Sequence, residues 1–336
     1  MPKKPPKDNP DCPKCSNKET IKQGFKKNKH RTIQKFQCKS CNHHFTLQPA
    51  LQKHKTYPIN LILDAINNLN LGYTIKQTKN YYQKHKINKS TLSYWYNQLK
   101  KDISFHRLRD ISLNPTEIII KKQFIHHSQP FLYQYHSLKL NFAKKFPTLI
   151  SYLKEINKSL PKQIFNNSER ISKMSKETPT MAGPGEAPSG VVGRTKCKAF
   201  WPSPAIKLGG VSSKSKQNYA VKLAQLAKEI TNDNKQRHNI IENFMLINDT
   251  ATIATEIPIY LTKQETKQNN LTGHIDILQI RYHKIYILDF KPEPVNKQQT
   301  ISQLKLYREA LSKRTQIPTY KFKLAFFNHE GYYEIN

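Results

Sequence analysis

Two cysteine pairs, Cys12-Pro-Lys-Cys15 and Cys38-Lys-Ser-Cys41, stand 22 residues apart near the start of the chain. Thiolates at i and i+3 of a tight turn reach a single ion, and two such turns supply the four tetrahedral ligands that Zn²⁺ takes. The spacing predicts a zinc ribbon over residues 1–55. Its ion is structural, because Cys12, Cys15, Cys38 and Cys41 fill every position and leave none open for chemistry. Between the knuckles, Gly24 and the run Thr32-Ile33-Gln34-Lys35-Phe36-Gln37 predict a hairpin, and Phe45 is placed to cap a very small core. Five cysteines in 336 residues are too few for a disulfide scaffold.

The charge narrows the partner. Lys and Arg number 56 against 23 acidic residues, a formal charge of +33. Nucleic acid is the first candidate for so basic a chain, ahead of an anionic membrane surface. No run of 18 apolar residues occurs, so no membrane partner or span is expected. No basic-then-apolar leader opens the chain, so a cytoplasmic, nucleoid-associated location is the default expectation. Residues 1–60 hold 14 Lys and Arg and only Asp8, Asp11 and Glu19 as acids, whereas residues 251–336 hold 12 and 8. The front reads as the nucleic-acid anchor, and the back keeps its carboxylates for another purpose. Six of the ten glycines lie between Gly183 and Gly210, and Thr178–Arg194 has linker composition.

Residues 56–103 predict three helices. Ile59, Ile62, Leu63, Ile66 and Leu69 recur at helical spacing, and Gly72 closes that helix. Thr74 caps a second helix to about His85, and Ser90 or Thr91 a third, with Leu92, Trp95 and Leu99 facing inward. A trihelical helix-turn-helix has this pattern. Its third helix leaves Thr91, Ser93, Tyr94 and Asn97 outward to reach base edges, and Lys100 and Lys101 to contact phosphate.

Taken together, the CPKC…CKSC ribbon, LDAINNLNLGYT and STLSYWYNQLKK resemble the N-terminal DNA-binding region of insertion-sequence transposases, over about residues 10–101. The resemblance implies DNA binding, not transposition. Those enzymes continue into an RNase H-like domain with three spaced carboxylates. Residues 104–175 hold only Asp110, Glu117, Glu155 and Glu169, none within a clear apolar strand. Residues 131–158 alternate aromatics, leucines and lysines at helical spacing, split at Pro147, and predict a basic helical connector. His126, His127 and His136 read as exposed or core histidines rather than ligands.

The back end, residues 216–336, carries three strand-like runs at 255–261, 274–280 and 284–290. A two-residue turn at Tyr282-His283 would set Asp276 directly opposite Asp289, with Lys291 on the same face and Ile275, Ile277, Tyr286, Leu288 and Phe290 on the other. Paired carboxylates so placed repel unless a cation lies between them. Two carboxylates holding Mg²⁺ or Mn²⁺ and a lysine beside them meet the needs of phosphodiester hydrolysis. A helix over about 297–313 places Gln303 and Tyr307 on one face. Another, over about 234–246, carries His238 and Glu242 at i, i+4, with Glu242 as an extra metal ligand. Glu256 heads the first strand. His238 and His274 suit a site or a packed core equally.

The segments Glu256-Ile-Pro-Ile, Gly273-His-Ile-Asp276, Ile287-Leu-Asp-Phe-Lys291 and Gln303…Tyr307 resemble the PD-(D/E)xK nuclease superfamily, in its RecB-like branch, over about residues 225–327. The resemblance implies an αβββαβ, restriction-endonuclease-like domain ending in a strand at 321–327. It also implies Asp276 and Asp289 as metal ligands, Lys291 as the catalytic lysine, and Gln303 and Tyr307 as substrate or water contacts. Cys197 alone lies near this core, so no iron–sulfur cluster is expected.

The whole chain is therefore expected to be a multidomain α+β protein: ribbon 1–55, helix-turn-helix 56–103, helical connector 104–175, linker 176–215 and nuclease-like domain 216–336. Its expected function is metal-dependent cleavage of DNA, in the setting of a prokaryotic mobile element or defence system, with a homodimer as one allowed assembly. Two alternatives stand beside it: a transposase or its remnant, and a DNA-binding regulator with an inactive nuclease fold.

Overall fold

A computed structural model describes residues 9–28, 31–46, 57–99, 114–174, 211–215, 218–231, 233–292 and 296–335. The chain forms two compact units, Met1–Arg109 with Leu226–Asn232, and Asp110–Gln225 with Asp233–Asn336.

The first unit opens on a three-stranded antiparallel sheet of β1 (Thr20–Asn28), β2 (Arg31–Cys38) and β3 (His44–Thr46). Gly24, at φ 70°, sits where the β1–β2 register shifts between Lys22 and Phe25. This is the irregular backbone that a residue without a Cβ permits. Three helices follow: α1 (Ile59–Asn70), α2 (Ile75–Tyr81) and α3 (Lys89–Leu99). Gly72, at φ 100°, ends α1 as expected, with the Tyr73 amide returning to the Asn68 carbonyl. Thr74 and Gln77 close a reciprocal capping box on α2. The third helix starts earlier than expected, at Lys89, so Ser90 and Thr91 lie in its first turn rather than capping it. Ile62, Ile66, Ile87, Leu92 and Trp95 are buried, while Leu69 is only half-buried.

The second unit is a large mixed sheet. Among the described residues its strand order is β4 (Ile119–His126), β5 (Gln129–His136), β8 (Thr252–Leu261), β9 (Leu271–Arg281), β10 (Lys284–Phe290), β11 (Phe322–Phe327), β12 (Tyr332–Ile335) and β7 (Val211–Ser215), with β6 (Glu169–Arg170) also pairing β9. The helices are α4 (Pro147–Ser159), α5 (Lys162–Asn167), α6 (Ile171–Met174), α7 (Tyr219–Ile230, of this unit as far as Gln225), α8 (Asn234–Asn248), α9 (Lys263–Thr266) and α10 (Lys297–Thr315). The β9–β10 hairpin pairs Lys284 with Arg281 and Leu288 with Ile277, the register expected from a two-residue turn at Tyr282-His283. β10 and β11 run parallel, with α10 as the crossover between them.

Residues 104–175 depart from the expected helical connector. Their described part begins with the β4–β5 hairpin, turned at His127-Ser128 with both φ positive, and β5 continues the sheet beside β8. Helix appears only from Pro147 onward, apart from short turns. Aromatics at alternate positions of Gln129–His136 serve a strand buried in the sheet: Tyr133 and Tyr135 join Phe124, Leu149, Leu153 and Phe165 in one apolar core with α10. The expected linker also differs, since β7 at its end pairs with β12. Its remainder, including Cys197, lies outside the described residues.

Candidate functional site

The four cysteine sulfurs converge at the open end of the β1–β2 hairpin, all within 4.8 Å of one another. Cys12 Sγ lies 3.6 Å from Cys41 Sγ, and Cys15 Sγ 3.5 Å from Cys38 Sγ. A tetrahedron of zinc–sulfur bonds of about 2.3 Å has edges of roughly 3.8 Å, so the donor set fits Zn²⁺. The two knuckles are built alike. In each, the first cysteine's amide donates to the carbonyl five residues on, Cys12 to Asn17 at 2.9 Å and Cys38 to His43 at 3.0 Å. In each, the residue after the second cysteine is left-handed: Ser16 at φ 57° and Asn42 at 53°. Phe36 and Phe45 stack with centroids 5.7 Å apart and, with Cys12 and Cys38, form the small core predicted for Phe45.

On α3, Tyr94 and Asn97 are exposed, and Thr91 and Ser93 half-exposed; Lys100 and Lys101 lie outside the described residues. Thr74, Ile75 and Lys76 from the start of α2 join Lys89, Ser90 and Ser93 of α3 around an open depression of 440 Å³. The sequence reading picked out the hydroxyls of α3 but not Lys76 and Lys89, which bring cations to the same hollow.

The second cluster belongs to the large sheet. Asp276 on β9 and Asp289 on β10 are buried. The ladder pairing Leu288 with Ile277 brings Asp289 opposite Asp276 one step further on, and Asp276 Oδ2 accepts the Phe290 amide at 3.0 Å. Lys291 Nζ stands 2.7 Å from Asp289 Oδ2 and donates to Gln303 Oε1 at 3.2 Å. Gln303 Nε2 in turn donates to Asp289 Oδ1 at 3.4 Å and to the Tyr307 hydroxyl at 2.7 Å. One turn of α10 thus aims both side chains at the end of β10, the geometry expected from their i, i+4 spacing.

Two groups of metal-ligating atoms share Asp276. His238, Glu242 and Asp276 form one, and Glu256, His274 and Asp276 the other, each with ligand atoms within 4.8 Å of one another. His238 Nδ1 lies 3.6 Å from Glu242 Oε1 and 3.8 Å from Asp276 Oδ2. His274 Nδ1 is 2.5 Å from Glu256 Oε2. Asp289 is in neither group; its carboxylate is engaged by Lys291 and Gln303. Glu256 reaches its place at a cost. It sits within β8 yet has φ 53°, a left-handed conformation that costs a non-glycine residue about 1–3 kcal/mol.

The carboxylates shift one another. Burial, with Asp289 and Glu256 close by, raises the Asp276 carboxyl well above its ordinary range. Burial and the nearness of Glu256 and Asp276 do the same to Glu242, whose Oε1 accepts no hydrogen bond. Glu256 goes the other way, because His274 outweighs its burial and lowers it. His274 is raised for the reciprocal reason, against its own burial. Lys291 is raised because Asp289 and Asp276 overcome its burial. Buried carboxylates gathered so closely become favourable once a divalent ion neutralises them. His238 and Lys291, each with 28% of the side chain exposed, are the open edge of the cluster. Behind it, the buried Lys139 ammonium holds the end of α8 by donating to the Leu246 and Asp249 carbonyls at 2.5 and 2.6 Å.

The sequence reading left His238 and His274 open between site and core; the structure brings both to the carboxylates. It did not foresee that the middle of the chain backs the site. Phe131 of β5 packs on the His274 ring at 4.4 Å, and buried His126 meets that ring edge-on at 5.9 Å. The two-residue turn between runs of alternating aromatics was the available signal. Neither His126, His127 nor His136 joins a metal-ligating group among the described residues.

Gly273 allows the close approach of α10. A Cβ there would lie 2.8 Å from Tyr307 Cε1. Gly273→Ala is expected to lower stability by about 1–3 kcal/mol through overpacking. Adding Tyr307→Leu, which clears the space, is expected to restore part of the loss, as read by denaturant unfolding of the single and double variants.

No protein-family model matches the sequence, and no curated protein matches it.

Proposed function

We propose that the protein is a metal-dependent DNA nuclease whose basic first unit holds the DNA. The observation that carries this reading is the convergence of buried Asp276 and Glu242 with half-buried Glu256, His238 and His274 on one cluster beside an Asp289–Lys291–Gln303–Tyr307 network. The succession α8, β8, β9, β10, α10, β11, interrupted only by the one-turn α9 between β8 and β9, is read as an αβββαβ, restriction-endonuclease-like core. The cysteine-rich sheet is read as a zinc ribbon, and α1–α3 as a helix-turn-helix.

A divalent cation, Mg²⁺ or Mn²⁺, held through Asp276 would lower the pKa of a bound water and neutralise charge on a phosphate. The chain's own groups do the rest. Asp289 and Gln303 fix the Lys291 ammonium at the open edge, where it can stabilise negative charge developing on the scissile phosphate. Tyr307 accepts from Gln303 and so fixes the amide that orients both. In the first unit, Thr91, Ser93, Tyr94 and Asn97 read the groove, while Lys76 and Lys89 contact phosphate.

A transposase reading is less well supported. The segment that would have to hold a separate catalytic fold instead supplies β4 and β5 to the same sheet as the carboxylates. The natural setting on this reading is a prokaryotic cytoplasm, in a mobile element or defence system. The test is incubation of circular and linear DNA with and without Mg²⁺ or Mn²⁺. Cleavage only with the ion is the expected result. DNA binding without cleavage under any divalent ion would replace the nuclease by a regulator.

A further inference from the structure

Away from the carboxylates, at the far end of β10, the large sheet ends in exposed aromatic rings set among cations. Tyr282 is 93% exposed and Tyr320 67% exposed. Tyr282 and His283 form the two-residue turn between β9 and β10 with φ 46° and 58°. A turn with both central residues left-handed favours Asn-Gly, and bulky residues there are strained. The Tyr282 ring buries nothing to offset that strain. A local rule broken without a packing gain marks a position kept for another purpose.

The surroundings indicate which purpose. Lys284 Nζ stands 5.4 Å from the Tyr320 ring centroid and donates to the Tyr320 carbonyl at 3.0 Å. Lys321 Nζ stands 5.3 Å from the same ring. Arg281 lies over Tyr286 at 5.2 Å and within 6.0 Å of Tyr332. The pairings Lys284 with Arg281 and Tyr286 with Lys323 put these side chains on one face of the sheet. Glu334 is the acidic group close to Tyr286 there. The chemistry is therefore two rings open to solvent, Tyr282 and Tyr320, at the edge of a face that carries Arg281, Lys284, Lys321 and Lys323, with two of these lysines against the Tyr320 ring.

We infer that this end of the sheet is a second nucleic-acid surface, one that takes an unpaired strand: Tyr282 and Tyr320 stack on bases, and Arg281, Lys284, Lys321 and Lys323 neutralise phosphates. Every base has a face to stack and every nucleotide a charge, so the surface binds single strands with little regard to sequence. A duplex hides its base faces and gains only from the cations. The inference goes beyond the nuclease reading and stands apart from it. Side chains alternate along a strand, so Lys284 and Tyr286 face the side of β10 opposite to Asp289 and Lys291, and the surface is separate from the carboxylate cluster.

The test measures binding of labelled short oligothymidylate, oligouridylate and a DNA duplex to the full zinc-loaded chain without added Mg²⁺ or Mn²⁺. Tyr282→Asn and Tyr320→Ala should each weaken oligothymidylate binding by about tenfold and leave duplex binding unchanged. An equal loss on oligouridylate assigns the surface to either polymer, and a loss on oligothymidylate alone to DNA. Asn suits the left-handed turn better than Tyr, so Tyr282→Asn should melt no lower than wild type, which separates lost binding from lost folding. Single-strand affinity unchanged in the double variant, or duplex affinity falling in parallel, overturns the inference and leaves metal-dependent cleavage untouched. Failure of cleavage with these affinities as expected would instead reject the nuclease and keep the surface.

Discussion

Asp276→Asn is expected to abolish divalent-metal binding in the large sheet and to slow DNA cleavage by about a thousandfold or more, roughly 4 kcal/mol of barrier. The reason is geometric. Asp276 is the one side chain common to both groups of ligating atoms, so its loss leaves His238 with Glu242, and His274 with Glu256. Without metal the same change should stabilise the protein. A carboxyl raised on folding favours its neutral form, so its contribution is fully present below the unfolded value of about 4 and is lost as pH rises through the raised folded value. Asp276 and Glu242 both shift upward. The metal-free wild type should therefore lose stability as pH rises from about 4, and Asp276→Asn should lose less. Divalent ions should reverse the trend in the wild type only, since they bind the deprotonated carboxylates. Thermal unfolding against pH, with and without Mn²⁺, reads all three effects.

Cys38→Ser has the other large expected effect. Cys38 is fully buried, packs with Phe36 and Phe45, and donates its amide to the His43 carbonyl that shapes the second knuckle. That small core is too slight to hold a three-stranded sheet by burial alone. Structural zinc contributes about 10 kcal/mol or more of folding free energy in such domains. The variant should release its zinc, counted with a colorimetric chelator, and expose residues 9–46 to limited proteolysis. Unfolding of the large sheet should keep its midpoint. Zinc retained by Cys38→Ser, or a protease-resistant front in excess chelator, contradicts the assignment.

The parts of the fold legible in the sequence were those set by local spacing. The Tyr282-His283 turn fixes the β9–β10 register, and that register brings Asp276 and Asp289 together. Thr74, Gly72 and the i, i+4 pair Gln303 and Tyr307 are signals of the same local kind: Thr74 caps α2, Gly72 ends α1, and Gln303 and Tyr307 share one face of α10. What could not be read depends on distant partners. The run Gln129–His136 fits a helical or an alternating pattern by itself, and pairing with β4 on one side and with β8, more than a hundred residues later, on the other makes it a strand. The left-handed Glu256 is invisible for a related reason. Its conformation lies in a strand whose register on β9 already shifts between Thr252 and Ala254, and nothing in Thr-Glu-Ile-Pro signals it. His238 and His274 each have a carboxylate nearby in sequence, Glu242 and Asp276, but the approaches of His238 to Asp276 and of His274 to Glu256 join different elements, so their part in the site emerges with the sheet.

The central claim is that Lys291 serves chemistry at a metal-bound phosphate, and the most direct measurement is Lys291→Ala assayed for Mn²⁺ binding and DNA cleavage side by side. Asp276, Glu242, Glu256, His238 and His274 remain in the variant, so the ion should bind with little change, while cleavage should fall by about 10²–10³ or more for a group acting on developing charge. Cleavage by Lys291→Ala at the wild-type rate, or loss of the ion together with the activity, would contradict the account.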